Sequence, residues 1–278
     1  MQASSTLGVI ILLFTGIFTY KAFTDKAYLE DNIFDIDKIL IDREFGRIIS
    51  SGFLHANWFH FGFNMGTMLT FSYLLEKSMG ATNFLLIYFL SLIGGSLLSL
   101  YIHRNHSDYR AYGASGAVCG LLLASVVLFP EAVFSIPFSD ASIPRWILAV
   151  AFVLASIFGI KTSWGNIGHD AHLGGSLCGV FLTLIIQPSI LKTNWWIVLL
   201  IVIPSIAFLI LMVKKPEIMM IDKYWGVDFK QKKEERKLKK SQSNNLRLDY
   251  LLDKIKREGL GCLSQKERDA LERLKDEL

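Results

Sequence analysis

Charge is scarce in this 278-residue sequence: Asp, Glu, Lys and Arg make up 19% of it, against 52% hydrophobic and 13% aromatic residues. Mean hydropathy is +0.39, and so thin a supply of polar surface excludes an ordinary soluble domain. The surplus of 29 basic over 25 acidic residues leaves a net charge of only +4, and no nucleic-acid partner is expected. Cysteine is scarce too. Cys119 and Cys178 fall in apolar stretches and Cys262 near the end, so no disulfide framework is implied. The first apolar run, from Leu7 to Tyr20, has neither a basic segment before it nor a small-x-small cleavage site, and reads as a span rather than a signal peptide. The H-E-x-x-H pattern of zinc proteases is absent.

What the chain has is a series of apolar stretches near the ~20 residues needed to cross hydrocarbon. They run over 6–22, 58–75, 82–102, 113–129, 145–162, 168–187 and 195–213, about seven spans. Trp58, Trp146, Trp164, Trp195, Trp196 and Trp225 fall near their ends, where amphipathic rings favour the interface. The expected fold is all-α, a polytopic helical bundle in the lipid bilayer. Four regions are expected: a membrane core over 1–190, an extra span over 191–215, a basic juxtamembrane segment and polar linker over 216–245, and a helical hairpin over 246–278.

Between the first two spans, Lys21 to Asn57 form an acidic connector that ends in an amphipathic segment. A connection this long is uncommon unless functional; it reads either as a solvated connector or as a substrate gate. Beyond the last span, the Lys-rich run Lys232–Lys240 leads into Ser241-Gln242-Ser243-Asn244-Asn245, which reads as a linker. Leu248, Leu251, Leu252 and Ile255 then recur at helical spacing, and Ser264-Gln265-Lys266-Glu267 is a capping-box pattern. Two such short helices bury too little to stand alone, so the hairpin is expected to dock on the membrane domain, another subunit or a protein partner.

Ionisable and strongly polar groups are costly in hydrocarbon and tend to mark function there. His60 and Asn64 lie one turn apart in the second span, on a face continued by Thr67 and Phe71. Ser115 heads the fourth span, followed by Gly116 and Gly120; His172 heads the sixth, on a face with Gly175, Ser176 and Gly179. These small-xxx-small patterns let helix backbones approach closely, which would bring a serine hydroxyl on one helix to an imidazole on another. Serine needs a positioned base to become a nucleophile, and the oxyanion that develops needs preorganised donors. Ser115, His172 and the pair His60 and Asn64 supply those parts, with no cofactor and no metal. Asp170 is turned about 200° from His172 on a helix and reads as interfacial; His169, at i−3, is on the better face.

These residues resemble the motifs of the rhomboid family of intramembrane serine proteases. Gly113-Ala114-Ser115-Gly116 is similar to its nucleophile motif, Ala171-His172-Leu173-Gly174-Gly175 to its catalytic-histidine motif, and His55 through Asn64 to its H-x4-H-x3-N motif. Phe45-Gly46-Arg47 resembles the tryptophan-arginine motif of the first loop, with Gly46 in place of tryptophan, and Leu75-Glu76-Lys77-Ser78-Met79-Gly80 resembles the turn after the second span. The resemblance covers about residues 6–187. It implies a Ser–His dyad without an acid partner, in a water-accessible cavity below the membrane surface, cleaving transmembrane protein substrates that arrive sideways. Cys119 stands where many members carry an aromatic packed on the histidine.

Other classes fit less. The pairs His55/His60, His103/His106 and His169/His172 raise a membrane metalloenzyme, but filling two metal shells would need more ligands. A non-catalytic relative that binds membrane clients typically lacks the serine or the histidine, and a transporter would show related halves with paired broken helices. The family orientation, in a bacterial inner membrane with the site opening extracytoplasmically, puts the basic tail outside, against the positive-inside tendency.

Overall fold

The structure, a computed structural model, describes residues 5–107, 109–135, 141–162, 167–214 and 229–276; Trp164 and Trp225 lie outside them. Among the described residues, the helices long and apolar enough to cross a membrane are α1 (Thr6–Thr24), α5 (Trp58–His103), α7 (Arg145–Thr162), α8 (His169–Ile186) and α10 (Trp195–Lys214). The protein is an integral, multi-pass helical membrane protein.

The second and third expected spans are joined in α5, whose 46 residues are interrupted at Gly80, with φ 76° and ψ 167°. Glycine takes that conformation without a Cβ penalty. A helix of this length would extend about 69 Å, over twice the ~30 Å of hydrocarbon, so the break divides it into two spans. The fourth span is α6 (Ser115–Leu128), only 14 residues. At 1.5 Å per residue it covers about 21 Å, less than the hydrocarbon thickness. It is apolar all round, and Leu121, Leu123, Ala124 and Val126 are fully buried, as a helix enclosed by others requires.

Serine and glutamate fix the start of α1. Ser5 Oγ donates to Glu76 Oε2 of α5 at 2.5 Å, and the Leu7 amide reaches the same carboxylate at 3.3 Å. The orphan amides of a helix N-terminus favour an anion there.

The connector after α1 is not a solvated loop. It folds into α2 (Lys26–Asn32), β1 (Phe34–Asp35), α3 (Ile36–Leu40), α4 (Arg47–Ser50) and a 3-10 turn at Ser51–Phe53. Phe34, Ile36 and Ile39 form its own apolar cluster. Arg47, buried, donates to the carbonyls of Glu30 at 2.7 Å and Ile33 at 2.9 Å and to the Glu44 carboxylate at 2.6 Å. β1 pairs antiparallel with β2 (Arg110–Ala111), Phe34 opposite Ala111 and Asp35 opposite Arg110. Arg110 strengthens this join by pairing with Asp35 at 2.9 Å and Glu30 at 2.7 Å. The connector is thereby fastened to the segment that leads into Ser115. Between α6 and α7, β3 (Val133–Ser135) and β4 (Ser142–Pro144) pair antiparallel. The short α9 (Ile190–Thr193) joins α8 to α10.

Residues 227–278 form a separate compact unit. Its α11 (Phe229–Glu258) passes without interruption through Ser241–Asn245, where the polar composition suggested a linker, and α12 (Gln265–Asp276) returns after Gly259. Leu251, Leu263 and Leu274 are its core, flanked by Leu248, Ile255 and Leu271. The capping box is formed: the Ser264 amide donates to Glu267 Oε2 at 2.8 Å, and the Glu267 amide to Ser264 Oγ at 3.4 Å.

Candidate active site

Ser115 is the first residue of α6, and His172 lies in the first turn of α8. The two helices touch through backbone. A Cβ at Gly175 would overlap the carbonyl of Gly116, and one at Gly179 would overlap that of Gly120. This is the register the small-residue spacing suggested, and it draws the helices together along their length. At the upper end of the contact, a Cβ on Gly116 would stand 3.4 Å from the Ala171 carbonyl oxygen. Ser115 and His172 are therefore each the chain neighbour of a residue in this crossing.

A second element closes on Ser115 from α5. Gly113 has φ +150°, a conformation other side chains rarely adopt, and a Cβ built there would meet His60 Cε1 at 2.9 Å, His60 Nε2 at 3.2 Å and Ser115 Oγ at 3.8 Å. The imidazole of His60 and the hydroxyl of Ser115 thus border the same small volume, kept open because Gly113 has no side chain. The Ala56 amide donates to His60 Nδ1 at 3.4 Å. With Nδ1 accepting, a neutral ring carries its proton on Nε2, the nitrogen facing Gly113. Asn64 is buried, and its Nδ2 donates to the His60 carbonyl at 3.0 Å. One amide proton is thus spent inside the helix and one remains.

His55 holds the loop from behind. Thr19 Oγ1 of α1 donates to the Phe53 carbonyl at 3.1 Å and lies 3.0 Å from His55 Nδ1, while the Ala114 amide points at His55 Nε2 from 3.5 Å. Since Thr19 spends its proton on Phe53, it accepts from Nδ1–H, and Nε2 accepts from Ala114. Burial, and then the neighbouring His60, push the His55 pKa down to about 3, in keeping with a neutral ring in this relay. The sequence marked His55 as the opening of a motif; its link between α1 and the residue before Ser115 depends on tertiary contacts.

The surroundings of His172 differ from expectation in one respect. Asp170 is buried, not interfacial: it accepts from Tyr109 Oη at 3.4 Å and lies 3.3 Å from His103 Nε2. The His103 ring stacks on Tyr109 with centroids 3.6 Å apart, and its Nδ1 is 2.7 Å from that of His106. The helix does turn Asp170 away from His172, but toward α5 and the following loop rather than toward a membrane surface. His169 meets His172 edge-on, with ring centroids at 5.8 Å. Its ring also fills the space left at Gly159 of α7. Phe152 of α7 covers His172 from another side, at 5.8 Å and 34°; an aromatic in an apolar span gave no signal of this. Cys119 is buried one turn beyond Ser115. Among the described residues no three His, Cys, Asp or Glu side chains converge as a metal-binding set.

Comparison with known proteins places the chain in a family. Residues 42–189 match the Rhomboid domain model. The chain is 35% identical over 153 residues to "Rhomboid protein 1, mitochondrial" of Saccharomyces cerevisiae, covering 52% of this chain and 43% of that protein. It is 26% identical over 168 residues to "Rhomboid protease AarA" of Providencia stuartii (54% and 59%), and 29% identical over 187 residues to "Rhomboid-like protein 11, chloroplastic" of Arabidopsis thaliana (62% and 65%). It thus spans about half the length of the curated relatives it matches. With a matched domain that runs from the first loop through α8 and contains Ser115, His172, His60 and Asn64, the chain belongs to the rhomboid family.

Proposed function

We propose that the protein is an intramembrane serine endopeptidase that cleaves transmembrane segments of membrane proteins through a Ser115–His172 dyad. The observation that carries this reading is the convergence of Ser115 Oγ and the His60 ring on the space kept open by Gly113, beside the helix crossing that flanks His172. In this mechanism Ser115 Oγ attacks the scissile carbonyl carbon while His172 takes its proton. Charge then gathers on the carbonyl oxygen, where His60 Nε2–H and the second Asn64 amide proton stabilise it. Collapse breaks the C–N bond, and His172 returns the proton to the leaving amine. Water, deprotonated by the same imidazole, then releases the acyl group from Ser115. No cofactor is required.

The shortness of α6 supports a reaction centre below the membrane surface, where peptide bonds of a transmembrane substrate would lie. A bacterial inner membrane with the cavity opening extracytoplasmically remains our proposal for its setting; the relatives named above include mitochondrial and chloroplastic proteins as well as one of Providencia stuartii, and support a membrane setting without choosing among these.

Purified wild-type protein should cleave a model transmembrane substrate and be labelled by a fluorophosphonate at Ser115. Ser115→Ala and His172→Ala should each lose essentially all cleavage while remaining folded, because the two side chains act as a unit. Cleavage at the wild-type rate by Ser115→Ala would overturn the assignment, and an inert wild type would favour a client-binding role.

A further inference from the structure

We infer that Phe152 of α7 is a positioning residue for the imidazole of His172, with His169 bracing the ring edge. The inference rests on the dyad proposed above and concerns how its base is held. A serine–histidine pair needs the imidazole presented in one orientation, and in a triad a carboxylate hydrogen-bonded to the far ring nitrogen does this. Here the nearest carboxylate in sequence, Asp170, is engaged by Tyr109 and His103 on the opposite side of α8. Cys119, one turn after Ser115, offers no ring. Among the described residues, the aromatic rings that reach His172 are Phe152, tilted 34° with centroids 5.8 Å apart, and His169, at 5.8 Å and 81°.

Both supports depend on α7, although only Phe152 belongs to it and His169 lies on α8 itself. Phe152 projects directly from α7, and the His169 ring is seated where α7 has Gly159, since any Cβ there would overlap it. Buried Val153 and Ala149 pack α7 into the core around Leu173 and Val180 of α8, so the position of Phe152 is fixed by the same interface that carries His172. An imidazole without such packing would sample several χ1 and χ2 wells, and only part of that population would face Ser115. Orientation lost in this way lowers the rate of the chemical step without weakening substrate binding.

The test uses the full-length protein in detergent and two readouts, the kinetics of a transmembrane substrate and the rate of fluorophosphonate labelling of Ser115. The small probe needs no docked transmembrane helix, so its labelling reports the reaction centre separately from substrate docking. Phe152→Ala should lower both kcat and the labelling rate on the order of 10-fold, with KM changed less than twofold. Phe152→Tyr should restore both. Phe152→Leu, which keeps apolar bulk and hence the fold, should remain slow in both. Wild-type labelling in Phe152→Ala, or a raised KM with unchanged kcat, would overturn the positioning role and make Phe152 a substrate contact. A wild type that neither cleaves nor labels would overturn the dyad itself, and this inference with it.

Discussion

Gly175 of α8 lies flush against Gly116 of α6, with space for no side chain: an added Cβ would overlap the Gly116 carbonyl and stand 3.0 Å from its Cα. The obstacle is backbone, which cannot swing aside as a flexible side chain can. Gly175→Ala must therefore push α8 from α6 at the level of the proposed dyad. Such overpacking costs typically ~1–3 kcal/mol, and a displacement of about 1 Å between catalytic groups can cost on the order of 100-fold in rate. Thermal unfolding in detergent should shift down and cleavage should nearly vanish. Gly62→Ala, where nothing lies within 4 Å of the added carbon, should leave both near wild type.

Asn64 divides its amide between the fold and the proposed chemistry. Nδ2 donates to the His60 carbonyl, so the residue steadies the first turn of α5 with one proton and keeps a second for the proposed oxyanion. Loss of one oxyanion donor costs ~2.7–4 kcal/mol, and Asn64→Ala should lower kcat by roughly 100-fold to 1000-fold, with little change in KM. An unchanged kcat with a raised KM would make Asn64 a substrate or packing contact. Asn64→Asp keeps the size but turns a donor into an acceptor, and should be no more active than Asn64→Ala.

The parts legible in the sequence are those where a single element carries the signal. Ser115, His172, His60 and Asn64 stood out because polar groups in apolar helices are rare, and the glycines of α6 and α8 because their spacing alone defines a face. Helical spacing also turned Asp170 away from His172 correctly. Its destination was not legible, since His103 and Tyr109 reach it from distant segments. The connector after α1 failed for the same reason: its short helices are held by Arg47 donating to carbonyls 14 and 17 residues away, which no local pattern reveals. At Ser241–Asn245 the local pattern points the other way, to a linker where the chain is helical. Ser and Asn are weak helix formers, but the strong formers on either side carry α11 through them.

His55 gives the protein a predictable acid sensitivity. Its folded-state pKa of about 3 lies below the ~6.5 of an exposed histidine. Above about pH 6.5 neither state binds the proton and the full stability is present. As pH falls below that value the unfolded chain protonates while the folded one resists, so stability declines until the folded ring itself protonates near 3. Between pH 6.5 and 4 this single group should remove on the order of 3 kcal/mol. Measured by denaturant or thermal unfolding across that range, His55→Asn should start less stable than wild type at neutral pH, because the Ala114 amide loses its acceptor, but should show a shallower decline. Equal slopes for the two proteins would show that other histidines dominate the acid response.

The tail unit should be separable from cleavage chemistry. Residues 227–278 have their own core in Leu251, Leu263 and Leu274, while every residue of the proposed dyad and oxyanion set precedes residue 190. The continuity of α11 decides where to cut. Truncation after Lys240 would leave a severed helix, whereas truncation after Gly226 removes the unit whole. The latter variant should cleave a model substrate in detergent at close to the wild-type rate. In native membranes its substrate choice or activity should change if the tail serves a protein partner. Loss of activity in detergent by a monodisperse truncated protein would show that the tail supports the membrane core. Glu267 offers a milder companion test. It pairs with Lys254 at 2.8 Å and caps α12 through Ser264, and the Lys254 contact first, then those of Ser264, hold its pKa down to about 2. Glu267→Gln should raise hydrogen exchange at the start of α12 in the full-length protein and leave cleavage in detergent unchanged, because only the hairpin depends on that cap.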